Sequence, residues 1–155
     1  MIEITASCDI DAPAEAVWSV LTDLDEFHIW NPFIRRAAGS TELGGHVRVR
    51  VRPSLGVPLV FHATVYDRED QRALRWRGHV GAPWLACGDH TFTIEPLGDG
   101  RSRLVQREAF TGIVPWLAGG LLAREARRGF DAMNRALAAR AEARSARSPA
   151  GKAAS

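Results

Sequence analysis

The stretch that most constrains this chain is residues 116–143. At about 3.6 residues per turn, Leu122, Ala126, Phe130, Met133, Leu137 and Ala141 recur at steps of three and four and form one apolar stripe. Arg124, Arg128, Asp131, Arg135 and Glu142 fall on the other side. At ~1.5 Å per residue, a helix of this length exceeds the width of a small domain. It needs a broad apolar surface to lie on, and the rest of the chain must supply one.

Most of the chain before it reads as strands. Ile2, Ile4, Ala6, Cys8 and Ile10 alternate with polar residues, as in a half-buried strand. The segment 11–15 breaks it and starts a helix. Asp11 or Ala12 is expected to cap, Pro13 to sit in the first turn, and Val17, Trp18, Leu21 and Leu24 to face the core. A second short helix over 25–30 is expected to end at Asn31-Pro32, because the residue before a proline leaves the helical region. Phe33 and Ile34 turn inward, and 39–45 is read as a turn.

Period-two runs follow at 47–51, 59–66, 74–80, 85–96 and 103–112, separated by Gly/Pro-rich breaks. An antiparallel sheet with one dry face needs a cover, and the terminal helix is the obvious candidate. The expected class is therefore α+β: a curved antiparallel sheet around a long C-terminal helix, with two short helices after the first strand. One domain spans 1–144, and the Ala/Ser/Arg-rich tail 145–155 is expected to be disordered.

The chain carries a formal net charge of +2. Beyond Leu137, Arg140, Arg144, Arg147 and Lys152 outweigh Glu142, so the body before them is slightly negative. A near-neutral body speaks against nucleic-acid binding. Cys8 and Cys87 suggest neither a disulfide framework nor a metal spacing. No apolar run approaches the ~18 residues of a membrane span, and no signal-peptide pattern opens the chain. The expectation is a cytoplasmic protein without stable membrane insertion, its oligomeric state open. No cofactor is expected, since no Gly-rich phosphate loop or nucleophile elbow is present.

Several segments in this order resemble the START/Bet v1-like superfamily, which includes polyketide cyclase/dehydrase and lipid-transport proteins. They are Ala12-Pro13-Ala14-Glu15-Ala16-Val17-Trp18, Trp30-Asn31-Pro32-Phe33, Leu74-Arg75-Trp76, His90-Thr91-Phe92, Glu108-Ala109-Phe110-Thr111-Gly112 and Phe130-Asp131-Ala132-Met133-Asn134. The resemblance implies a helix-grip fold with an apolar cavity. It does not imply a single activity, because members carry lipids, bind hormones or cyclise polyketides.

Register arithmetic sharpens the site. If the last hairpin closes around Gly98-Asp99, His90 faces Glu108, Phe92 faces Gln106 and Ile94 faces Leu104, all on one face. The company of Ile94, Phe92, Leu104 and Phe110 makes that face the dry one. His90, Gln106 and Glu108 are thus placed inside the grip. Three readings stand side by side: a structural hydrogen-bonded pair, a polar anchor for a ligand, and a general acid/base pair. His90 and Glu108 are the catalytic candidates, and two groups are too few for a metal site.

The expected ligand-binding set is Trp30, Phe33, Phe61, Trp76, His90, Phe92, Gln106, Glu108, Phe110, Phe130, Met133 and Leu137. The expected function is binding or carriage of a mostly apolar small molecule such as a lipid, polyketide or aromatic metabolite. The alternative is a cyclase/aromatase-type enzyme using the same cavity. Trp84 and Trp116 could gate a pocket mouth or close the sheet end, and His28 could lie at the mouth. Arg48, Arg50, Arg52, Arg75, Arg77, Arg103 and Arg107 would stripe the outer face, as a solvated surface or toward an anionic partner.

Overall fold

The computed structural model describes residues 1–54 and 56–148. Its order is β1 (Ile2–Ile10), α1 (Ala14–Thr22), a single 3-10 turn (Leu24–Glu26) running into α2 (Phe27–Trp30), then β2 (Ile34–Gly39), β3 (His46–Val51), β4 (Leu59–Glu69), β5 (Ala73–Val80), β6 (Ala86–Gly98), β7 (Arg101–Thr111) and α3 (Ile113–Arg147). The seven strands form one antiparallel sheet in the order β1-β7-β6-β5-β4-β3-β2. The sheet curls into a half-barrel around α3, which is the helix-grip arrangement.

The stripe on α3 does what its spacing predicts. Ala126, Phe130, Met133, Leu137 and Ala141 are buried against the sheet and α1, and Leu122 is half-buried beside them. The helix starts at Ile113, earlier than the periodicity suggests, and bends at Ala118 (φ −120°, ψ 24°). Gly119 follows the bend, where a Cβ would lie 2.4 Å from Ile2 Cδ1, so the missing side chain lets the helix approach β1. Gly112, at φ 118°, makes the sharp change of direction from β7 into α3. Of the expected tail, 145–147 continue the helix and 149–155 lie outside the described residues.

Three expectations need correction. The structure contains an additional strand, β2, in the stretch after Phe33. Its burial runs buried-exposed-exposed, because a bulge between Ile34 and Arg36 breaks the two-residue period. The α1 helix has no side-chain cap: Pro13 is its N-cap, and its carbonyl accepts from the Ala16 and Val17 amides. The α3 face opposite the stripe is not uniformly wet either. Asp131 and Glu142 are half-buried, and Glu142 Oε1 accepts from the Asp11 amide at 3.0 Å.

Asn31 ends the second helix as its position before proline requires. Its Oδ1 accepts from the Phe33 and Ile34 amides at 3.0 and 2.8 Å, turning the chain into β2.

Candidate functional site

The last hairpin has the expected register. His90 pairs with Glu108, Phe92 with Gln106 and Ile94 with Leu104. All these side chains are buried, with His90 at 4% and Glu108 at 8% exposure.

A polar chain runs through this interior. His90 Nδ1 lies 2.7 Å from Glu108 Oε2, and His90 Nε2 lies 3.1 Å from Gln106 Oε1. Gln106 Nε2 donates to Asn134 Oδ1 of α3 at 2.6 Å. The amide of Gln106 therefore turns its oxygen to the imidazole. The two contacts give both ring nitrogens and the buried carboxyl a hydrogen-bonding partner, as a dry interior requires.

Aromatic rings clamp the imidazole. It stacks on Phe92 (centroids 4.1 Å apart, planes at 14°), meets Trp76 edge-on at 5.8 Å and touches Phe130 at 5.0 Å. Phe33 in turn packs edge-on to Phe130 at 5.7 Å.

A cavity of about 80 Å³ lies between this cluster and the N-terminal half of α3. Phe33, Phe61, Trp76, Phe110 and Phe130 form much of its wall, with His90 and Glu108 as polar members. Two directly opposed glycines, Gly78 on β5 and Gly88 on β6, open space in the sheet there. A Cβ on Gly88 would fall 2.2 Å from Glu108 Oε1. That oxygen has no hydrogen-bonding partner among the described residues, and Glu108 borders the void.

Five expected lining residues lie elsewhere. Met133 and Leu137 are fully buried in the core cluster that the later turns of α3 share with the sheet. Phe92 and Gln106 support the imidazole from below and from the side, without reaching the cavity. Trp30 packs edge-on to Phe27 at 5.0 Å, with its Nε1 buried and without a partner. Trp84 and Trp116 are 66% and 81% exposed and line no part of the cavity. The Ile113 amide, at the start of α3, donates to the Trp84 carbonyl at 3.1 Å. His28 is exposed, with Nδ1 2.7 Å from the Asp25 carbonyl.

Glu125 and Asn134 are the site residues the sequence reading did not single out. Glu125 is 8% exposed, borders the cavity, accepts from the Ser54 amide at 2.9 Å and pairs with Arg128. Asn134 keeps its Nδ2 buried, without a hydrogen-bonding partner among the described residues. The signal was helical spacing: Asn134 is four residues after Phe130 and three before Leu137, so the stripe itself puts it inside.

Cys8 reaches the same region. Its thiol donates to the Asn134 carbonyl at 3.6 Å, and burial, helped by Asp9 and Glu142, pushes its pKa up to about 11. Among the described residues, no cluster of three or more His, Cys, Asp or Glu could hold a metal ion, and no helix is long and apolar enough to cross a membrane.

Comparison with known proteins agrees with this fold. The family described as polyketide cyclase / dehydrase and lipid transport matches residues 1–142. No curated protein matches the chain. Among solved structures, an aromatase/cyclase named Zhui from a Streptomyces strain is similar, with TM-score 0.77, 22% identity, and coverage of 92% of this chain and 94% of that one. A START superfamily protein from Mycobacterium smegmatis gives TM-score 0.72 at 19% identity, covering 93% and 97%. The di-domain ARO/CYC StfQ of the steffimycin biosynthetic pathway gives 0.68 at 13% identity, covering 94% of this chain and 50% of that one.

Proposed function

The chain belongs to the polyketide cyclase / dehydrase and lipid transport family, and on that premise we propose that it binds a mostly apolar small molecule in the cavity between sheet and α3. The observation that carries this is the Glu108 carboxyl, which borders the cavity in a mostly apolar wall while its Oε1 has no hydrogen-bonding partner among the described residues. A pocket of apolar walls with few polar groups is the usual form of a small-molecule site. The fitting ligand has an apolar or aromatic body and one hydroxyl or enol that donates to Oε1.

The size of the cavity sets a condition. At about 80 Å³ it is smaller than the ~150 Å³ apolar cavity that holds a benzene. A ligand larger than one ring must therefore widen it. Pro53 and Leu59 border the cavity together with Leu122 and Glu125 of α3.

The second reading, a cyclase or aromatase, is favoured by one feature: the His90–Glu108 pair, 2.7 Å apart, sets two groups of the kind that exchange protons beside the void. The relatives that carry aromatase/cyclase names share the fold, and their chemistry comes to this chain only as a suggestion.

Native mass spectrometry of protein purified from its own host tests the binding reading: a co-purifying apolar molecule is expected. The Glu108→Gln variant divides the two readings. A carrier changes affinity modestly, whereas an enzyme loses ~10²-fold or more in turnover. Protein that is repeatedly empty yet cyclises a test polyketide would overturn the carrier reading in favour of the enzyme.

A further inference from the structure

The outer face of the sheet divides its charge unevenly. Toward β1, β7, β6 and β5, arginines meet carboxylates: Arg107 with Glu3 at 2.6 Å, Arg103 with Asp9 at 2.7 Å, Arg101 with Asp11 at 2.8 Å, Arg77 with Asp89 at 2.5 Å and Arg75 with Asp67 at 3.0 Å. At the other end, Arg35 and Arg36 of β2 and Arg50 and Arg52 at the end of β3 line one concave cleft with exposed His28. Among the described residues, none of these four arginines has a carboxylate within ion-pair distance.

Two features of the backbone put them together. The bulge between Ile34 and Arg36 breaks the alternation, so Arg35 and Arg36 are both exposed. Arg36 then sits directly opposite Arg50 across the strand pair. Like charges directly opposite destabilise a sheet. Protection of a sheet edge does not account for Arg50. The edge strand is β2, whereas Arg50 belongs to β3, which is paired on both sides.

We propose that this cleft is an oxyanion site that takes the phosphate or diphosphate group of a soluble ligand. Its volume, about 430 Å³, fits such a group with its neighbouring atoms. Planar guanidinium forks suit phosphate oxygens bidentately, and several around one concavity favour a group with more than one negative charge. Pro58 is the only apolar side chain among the described lining residues, so the cleft itself is a polar, cationic surface. The cleft shares no lining residue with the interior cavity.

Isothermal titration with inorganic pyrophosphate at low salt tests this. Wild type is expected to bind one equivalent saturably. Arg36→Gln/Arg50→Gln should weaken binding by at least ~10-fold. Arg103→Gln/Arg107→Gln, which removes the same net charge from the paired end of the sheet, should leave it unchanged. The Arg36→Gln/Arg50→Gln variant should melt at or above the wild-type temperature without ligand, because a repulsive pair is gone. Equal weakening in both variants would reduce the effect to general charge and overturn the site. So would absence of saturable binding, or binding to vesicles of an anionic phospholipid without binding to pyrophosphate. A melting temperature several degrees lower in Arg36→Gln/Arg50→Gln would show that the protein itself balances these charges, and would equally overturn the proposal.

Discussion

Replacing Gly88 by alanine isolates the contact on which the candidate site depends. The new Cβ would stand 2.2 Å from Glu108 Oε1, a separation no pair of such atoms tolerates. The backbone need not move, because the obstructed atom is the end of a flexible side chain. The carboxyl must swing away, however, and with it goes the 2.7 Å contact to His90 Nδ1. A hydrogen bond to a charged group contributes ~1.5–3 kcal/mol. Against that, Gly→Ala reduces the freedom of the unfolded chain by ~0.4–1 kcal/mol. The net expectation is a loss of ~1–2 kcal/mol, or a few degrees in melting temperature for a domain of this size. Urea denaturation followed by tryptophan fluorescence measures it. The decisive comparison is a double-mutant cycle: in a Glu108→Ala background the obstruction is gone, so Gly88→Ala should be neutral or slightly stabilising. If Gly88→Ala costs the same in both backgrounds, the clash with Glu108 is not its cause and the reasoning fails.

Other consequences follow from the same interior. Gln106→Leu removes the bridge between His90 and Asn134, leaving buried groups unpartnered; a loss of ~2–4 kcal/mol in denaturant unfolding is expected, well above that of an exposed Gln→Leu change. Phe130→Ala, at a 2% exposed position against the imidazole, should cost ~3–5 kcal/mol by the same measure and enlarge the cavity enough to admit a small aromatic probe detectable by NMR. Cys8, with its pKa raised to about 11 from 9.0, should alkylate slowly at pH 8 and speed up only as pH approaches 11, as read by mass spectrometry. The linked effect on stability has a definite sign. The folded state holds its proton more tightly than the unfolded one, so the contribution is complete below about pH 9 and is lost as pH rises towards 11. A Cys8→Ala variant should flatten that part of the stability–pH curve.

Periodicity determined a good deal of this protein by itself. The stripe of α3 depends only on the helical repeat, and the core face of α1 follows from the same rule. The pairing of His90 with Glu108 follows from a symmetric hairpin and the two-residue period of strands, both local properties of the chain. Where a local rule is broken, the sequence was silent: a bulge hid β2, and an N-cap proline replaced the expected side-chain cap. The position and size of the cavity were decided by tertiary structure alone. Met133 and Leu137 lie on the same stripe as Phe130, but only the packing of helix on sheet, with the opposed Gly78 and Gly88 in the cavity wall, determines which turns of α3 face a void and which face packed side chains. The same holds on the outside. Seven arginines of one alternating pattern look alike in the sequence, and only the sheet order gives Arg75, Arg77, Arg103 and Arg107 carboxylates as neighbours while leaving Arg50 and Arg52 beside further positive charge.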